Sequence, residues 1–300
     1  MKANLSAMIC GLAVLVVMMT VPALAESSSD IEKRLQQDFS GTNVFLRSSL
    51  VDDTLRFDSE GHSKSTETGP WTIAAVLAIR DIHYKEASIE IEGERILLYH
   101  DATPGKFRSV FPIPALQRGI EVLPADRKQA KKAEKKKLAK RNRVHITIQR
   151  PAGELTLQAV LDIMAKVFLP TNEHISDAVP AYWRKYMREL EGIREEPPAT
   201  APAAVGFCTG KDVTPPKATH APDPDYSLFA RELRYEGGLW LTTIVNTEGE
   251  ATDIEITKPA GLGLDEKAVE AVRGWKFKPG MKDGNPVAIK ISVEIEFHLY

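Results

Sequence analysis

The residue types that do chemistry are present but scattered. The seven histidines are His62, His83, His100, His145, His174, His220 and His298, and none belongs to a His-Glu-x-x-His pair that would hold zinc on one helix face. His83 and His100 fall in neighbouring strand-like segments and could approach each other, but a satisfied or exposed histidine is the commoner outcome. Two cysteines, Cys10 and Cys208, exclude a disulfide-stapled scaffold and a cysteine-based zinc site. Gly261-Leu262-Gly263 precedes a helical pattern without the third glycine of a dinucleotide fingerprint. Gly210-Lys211 lacks the Ser/Thr and the spacing of a phosphate loop, and there is no Gly-x-Ser-x-Gly elbow. Cys208 with a distant histidine is the one remaining, weak route to a thiol enzyme. The expectation is a protein that is not an enzyme and takes no cofactor and no metal.

Composition fits a binding or structural class. The 300 residues are 43% hydrophobic and 27% charged, enough for one large core or two smaller ones. The net charge of −2 argues against a nucleic-acid partner, but the charge is segregated. Residues 127–143 carry ten basic side chains and one acidic, Glu134, against an acidic remainder. The basic positions run all around a helix and leave no stripe to dock. A solvated insertion is the first reading; contact with an anionic surface, phospholipid head groups or wall polymer, is the sharper one, and salt would weaken it.

The amino terminus addresses the chain. Lys2 precedes an apolar run from Met8 to Met19, short for a membrane span, and then Val21-Pro22-Ala23-Leu24-Ala25. Ala23-x-Ala25 suits a signal peptidase, so residues 1–25 are expected to be a signal peptide cut between Ala25 and Glu26. That makes the protein periplasmic; the alternative is an uncut inner-membrane anchor facing the periplasm.

Beyond it, hydrophobic periodicity divides the chain. Strands are expected over Asn43 to Val51, Thr54 to Asp58, Trp71 to Tyr84 and Val144 to Ile148. Ser88 to Glu92 alternates, and Gly93-Glu94 is expected to turn the chain into Arg95 to Tyr99. Helices are expected over Leu155 to Leu169, with Val160, Ile163, Met164 and Val167 on one face, and over Ile175 to Leu190. These elements make an N-terminal α+β domain of residues 26–194 with 127–143 as its basic insertion. Seven prolines between Pro197 and Pro224 favour extended backbone, and residues 195–212 read as a linker.

Residues 213–300 form the second domain. Phe229 to Leu233 is a short helix, Leu239 to Val245 a strand, and Asn246-Thr247-Glu248-Gly249 a turn with glycine at positive φ. Ala251 to Thr257 returns as a strand. Asp265 is placed as an N-cap ahead of a helix with Ala268, Ala271, Val272 and Trp275 on one side. In the last segment Val287, Ile289, Ile291, Val293, Ile295, Phe297 and Leu299 alternate with Lys290, Ser292, Glu294, Glu296 and His298, a strand with one dry and one wet face. The fold class is therefore α+β throughout, the second domain having two helices on a three-stranded antiparallel sheet.

Several spaced motifs here resemble the C-terminal domain of the TonB family: Pro224-Asp225-Tyr226-Ser227, Tyr235-Glu236-Gly237, Asn246-x-x-Gly249, Leu264-Asp265-Glu266-Lys267-Ala268, Trp275-Lys276-Phe277-Lys278-Pro279 and Asp283-Gly284-x-Pro286-Val287. The likeness runs from about Pro215 to Tyr300; Ser227 departs from it where a second proline is usual. Tyr226, Gly249, Asp265, Ala268, Trp275, Phe277, Pro279 and Gly284 read mainly as fold determinants. The resemblance implies a periplasmic energy-transducer-type domain in transmembrane transport, binding an extended segment of a TonB-dependent outer-membrane transporter as an added strand. The edge that would receive it is Val287, Ile289, Lys290, Ile291, Val293 and Ile295. Self-pairing of that edge into a homodimer, as a structural envelope protein, is the alternative. The family's anchor helix carries a Ser and a His, but the run from Met8 to Leu24 has no histidine. A linker of about 28 residues at about 3.1 Å each reaches at most about 87 Å. Binding or assembly is therefore expected ahead of energy transduction.

Overall fold

The structure, a computed structural model, describes residues 27–100, 107–110, 143–151, 153, 155–170, 173–193 and 212–299. Residues 1–26, with the expected signal peptide and its Ala25–Glu26 junction, residues 127–142 of the basic segment, and residues 195–211 with Cys208 lie outside the described residues. The chain divides into one compact unit over residues 1–98 and 109–178 and a second over 99–108 and 179–300.

The first unit contains α1 (Ser28–Phe39), β1 (Asn43–Phe45), β2 (Thr54–Phe57), α2 (Trp71–Ala74), β3 (Val76–Tyr84), β4 (Ser88–Arg95), β7 (Arg143–Gln149), α3 (Leu157–Val167) and α4 (Ile175–Ala178); β5 (Leu97–His100) pairs with β6 (Phe107–Val110). Its five strands lie in the order β1-β3-β4-β7-β2, with β2 parallel to β7 and the other pairs antiparallel. Alternation decides the core: Ile89 faces Ile148 and Ile91 faces Ile146, all four buried, and Leu55 and Phe57 join them. Helix α1 adds Ile31 and Leu35, and α3 buries Val160, Ile163, Met164 and Val167, the face its spacing predicts.

Expectations for this unit change: Trp71–Ala74, expected as strand, form the short helix α2, and the strand expected over Asn43 to Val51 ends at Phe45. Gly93-Glu94 does not turn the chain; β4 runs through it to Arg95, and the reversal lies at Lys85, whose N–H donates to the Ser88 carbonyl at 2.8 Å. Gly93 sits close to the neighbouring strand: a Cβ there would lie 3.1 Å from the Ala78 carbonyl oxygen, a tight contact. His83 lies between Glu32 (3.0 Å) and Asp81 (3.3 Å), while the side chain of His100 lies outside the described residues. Arg95, at the end of β4, is buried and donates to the carbonyls of Ala74 and Asp52, both at 2.9 Å. Burial pulls its pKa down to about 10 against the opposing charges of Asp53 and Asp52.

The second unit contains α5 (Ala181–Glu191), β8 (Val213–Thr214), β9 (Lys217–His220), α6 (Leu228–Glu232), β10 (Gly237–Val245), β11 (Ala251–Lys258), α7 (Leu264–Gly274), β12 (Lys276–Lys278), β13 (Gly280–Lys282), β14 (Asn285–Val287) and β15 (Ile289–Phe297). Its central sheet has the order β11-β10-β15, antiparallel throughout. Leu239, Leu241 and Val245 of β10, Ile256, Ile289 and Ile295 are buried, as are Ala230, Leu264, Ala268, Val269 and Val272 of the helices. Strands β9 and β8 pair with β12 and β13, so the latter part of the proline-rich stretch is tied into this unit.

Here too the structure alters expectations. The helix expected over Ile175 to Leu190 breaks at Val179-Pro180, where proline fixes φ and has no N–H to give. Its second half, α5, was expected in the N-terminal domain and packs along β11 of the second unit. Asp265 is not the N-cap of α7: Gly263 holds that position at φ +78°, and Asp265 lies inside the first turn. Val287 is not on the last strand: it pairs with Gly280 in a β13–β14 hairpin, and the chain breaks at Ala288 before β15 begins.

Candidate functional site: the β15 edge

Strand β15 is paired with β10 along its whole length, from Gly237 opposite Phe297 to Val245 opposite Ile289. Its other side has no strand partner among the described residues. On the inner, helix-backed face Ile289, Ile295 and Phe297 are buried, whereas Ile291 and Val293 at mid-strand are half-buried. On the outer face Ser292, Glu294 and Glu296 are exposed. Lys290, on the same face, is not free: its Nζ donates to Glu255 of β11 at 2.8 Å.

The opposite edge of the sheet is occupied. Helix α5 presents its polar side to both faces of β11 at once. Lys185 donates to Glu255 at 3.2 Å on the outer face, where Thr242 Oγ1 also donates to Glu255 at 3.4 Å. Tyr182 of the same helix meets the Arg273 guanidinium of α7 at 5.8 Å behind the inner face. A helix that touches groups on both faces lies along the strand's outer side, and Trp183 and Met187, one turn apart, are its buried residues. Burial raises the Glu255 pKa, but the hydrogen bonds and charges of Lys290 and Lys185 outweigh it and hold the carboxyl below its usual range. Burial and the Glu266 charge push the Tyr182 phenol above its ordinary value. Between α5 and the start of β11 a groove of about 320 Å³ remains, lined by Tyr182, Asp253 and Arg273 among others. Asp253 takes φ +47° at the irregularity where β11 slips register.

The motif residues make the following contacts in the second unit. Tyr226 donates its hydroxyl to the Tyr235 carbonyl and sets its ring edge-on to Phe297 at 5.5 Å, fixing the end of β15. Gly249, at φ +80°, accepts from Phe277 N–H at 2.8 Å. Trp275 Nε1 donates to the Pro222 carbonyl at 3.0 Å, Phe277 is buried, and Pro279 separates β12 from β13. Gly284, also at φ +80°, closes the β13–β14 hairpin, and Ala268 is fully buried on the inner side of α7. Asp265 is fully buried and accepts from the N–H groups of Ala260 (2.8 Å) and Gly261 (2.6 Å). Burial, with Glu266 behind it, pushes its carboxyl up to about 7.

Sequence reasoning proposed the last strand as the edge and did not single out Glu255, Lys185 and Lys290 as a group. They lie on three elements, and only folding brings them together. Among the described residues no cluster of histidine, cysteine and carboxylate could hold a metal ion, and no helix is long and apolar enough to cross a membrane.

The family described as Gram-negative bacterial TonB protein C-terminal matches residues 222–299. Protein TonB of Vibrio cholerae serotype O1 is 34% identical over 77 residues, which cover 25% of this chain and 32% of that protein. Protein tonB2 of Pseudomonas aeruginosa is 34% identical over 81 residues, 27% of this chain and 30% of that protein. Protein TonB of Escherichia coli K12 is 28% identical over 99 residues, 32% of this chain and 41% of that protein. The solution structure of the Pseudomonas aeruginosa TonB C-terminal domain aligns at 20% identity and a TM-score of 0.26, over 32% of this chain and 96% of that one. Residues 222–299 are therefore a domain of the TonB C-terminal type. The chain spans about a third of the length of the two TonB proteins it matches at 34%.

Proposed function

We propose that the second unit captures an extended segment of an envelope protein, foremost an outer-membrane transporter, by adding it as a strand along β15, in a TonB-like role in transport. One observation carries the reading. Among the described residues strand β15 has a ladder partner on one side only, while α5 lies against β11 at the other edge. An open ladder offers main-chain donors and acceptors to an incoming strand, and alternate side chains add selectivity. The setting is the periplasm, reached behind residues 1–25 or with them as an anchor. Relatives bearing the name TonB favour transport over a purely structural role.

Adjacent residues of an antiparallel strand bond alternately to its two sides. One of Ile291→Pro and Ser292→Pro therefore spares the β10 ladder and deletes an outward donor, and the other does the reverse. Fluorescence anisotropy with N-terminal transporter peptides tests the reading. The variant that keeps wild-type thermal stability should lose peptide binding, and retention of binding by both variants places the site elsewhere. A second reading has its own support in the register. Antiparallel self-pairing about Val293 sets Lys290 opposite Glu296 of a second copy, so light scattering that finds a tight dimer indifferent to every peptide favours the homodimer.

A further inference from the structure

Resting on strand addition at β15, the chemistry of the edge narrows its occupant. Any strand laid along β15 has two rows of side chains. The inner row lies beside Ile291 and Val293, the half-buried pair at the centre of an otherwise buried face. A neighbour there gains by covering apolar area, so this row calls for two apolar residues spaced by one. The outer row lies beside Ser292, Glu294 and Glu296. The cation on that flank, Lys290, is already committed to Glu255 at 2.8 Å, in a group that also holds Lys185. Glu294 has no ion-pair or hydrogen-bond partner among the described residues, and Glu296 meets only His298, at 3.1 Å, with both side chains 59% exposed. The outer flank of the open edge thus carries two exposed carboxylates, Glu294 and Glu296, beside a lysine held by Glu255.

We infer that β15 selects an extended segment alternating apolar and cationic residues, the apolar ones over Ile291 and Val293 and the lysines or arginines facing Glu294 and Glu296. Opposite charges across neighbouring strands are favourable and like charges are not. The same two carboxylates repel acidic segments, which would otherwise satisfy the ladder equally well.

The test uses the purified full chain and three labelled eight-residue peptides. One alternates valine with lysine; the others carry glutamine or glutamate in place of lysine. At low salt the lysine peptide should bind most tightly and the glutamate peptide least, by about two- to fivefold for each charge that faces a carboxylate. The difference should fade toward about 0.5 M salt as the charges are screened. Glu294→Lys changes an exposed residue and should reverse the order of lysine and glutamate peptides, and Ser292→Lys should weaken the lysine peptide and strengthen the glutamate peptide. Equal affinities, or an order untouched by Glu294→Lys, overturn the inference while strand addition stands. No binding of any peptide overturns both, and if light scattering then finds a dimer the edge belongs to a second copy.

Discussion

Two glycines of the second unit share one backbone angle and differ in what surrounds them. Gly249 and Gly284 both sit at φ +80°. A Cβ on Gly249 would lie 2.0 Å from the Phe277 carbonyl oxygen and 3.0 Å from its carbon, whereas one on Gly284 would meet nothing within 4 Å. Gly249 cannot swing away. Its N–H donates to the Asn246 carbonyl at 3.1 Å, its carbonyl accepts from Phe277, and Asn246 Oδ1 holds the N–H groups of Glu248 and Glu250 at 3.1 and 2.8 Å. Placing alanine at either position costs about 1–2 kcal/mol for the left-handed backbone. At Gly249 the overlap adds about 1–3 kcal/mol, because β12 must move away from the turn. The expected difference of about 2 kcal/mol corresponds to about 8–16 °C in the melting of a domain this small. Calorimetry of the full chain, following the transition of the second unit, reads it directly. Equal shifts for Gly249→Ala and Gly284→Ala would refute the close approach of turn and strand.

Two further predictions concern stability. The folded pKa of Asp265 is raised, so its contribution is fully present below about pH 4 and is lost as pH rises through about 7. Urea unfolding should find the second unit weakening across that window, and Asp265→Asn should flatten the slope while forfeiting one of the two N–H partners. Trp183 is fully buried in α5, so Trp183→Ala should cost about 3–5 kcal/mol. Calorimetry should record that loss in the transition of the second unit; a loss confined to the first would reassign the helix.

What the sequence made legible follows from the range of each signal. Alternation from Ile289 to Phe297 is local, so the last strand and its two faces could be read directly, as could the buried face of α3. The half-exposure of Ile291 and Val293 could not, because it depends on which side of β15 lacks a neighbour. An apolar pair such as Trp183 and Met187 says that a helix must be covered, and spacing alone does not say by which sheet. Gly93 looked like a turn because glycine permits one; its close neighbour, the Ala78 carbonyl, belongs to another strand. Val287 fitted the alternation of the last strand, and its pairing with Gly280 was decided by the hairpin turn at Asp283-Gly284.

The placement of α5 changes what the proline-rich stretch is for. The elements that flank residues 192–212, α5 and β8, both belong to the second unit, so that segment joins two points of one body. A reach of about 87 Å is then beside the point, because a segment that leaves and re-enters the same body cannot set how far that body extends. Its length enters through loop closure instead, where each doubling costs only about 0.6 kcal/mol. Changing the length of that segment should therefore have little effect on the folding of the second unit.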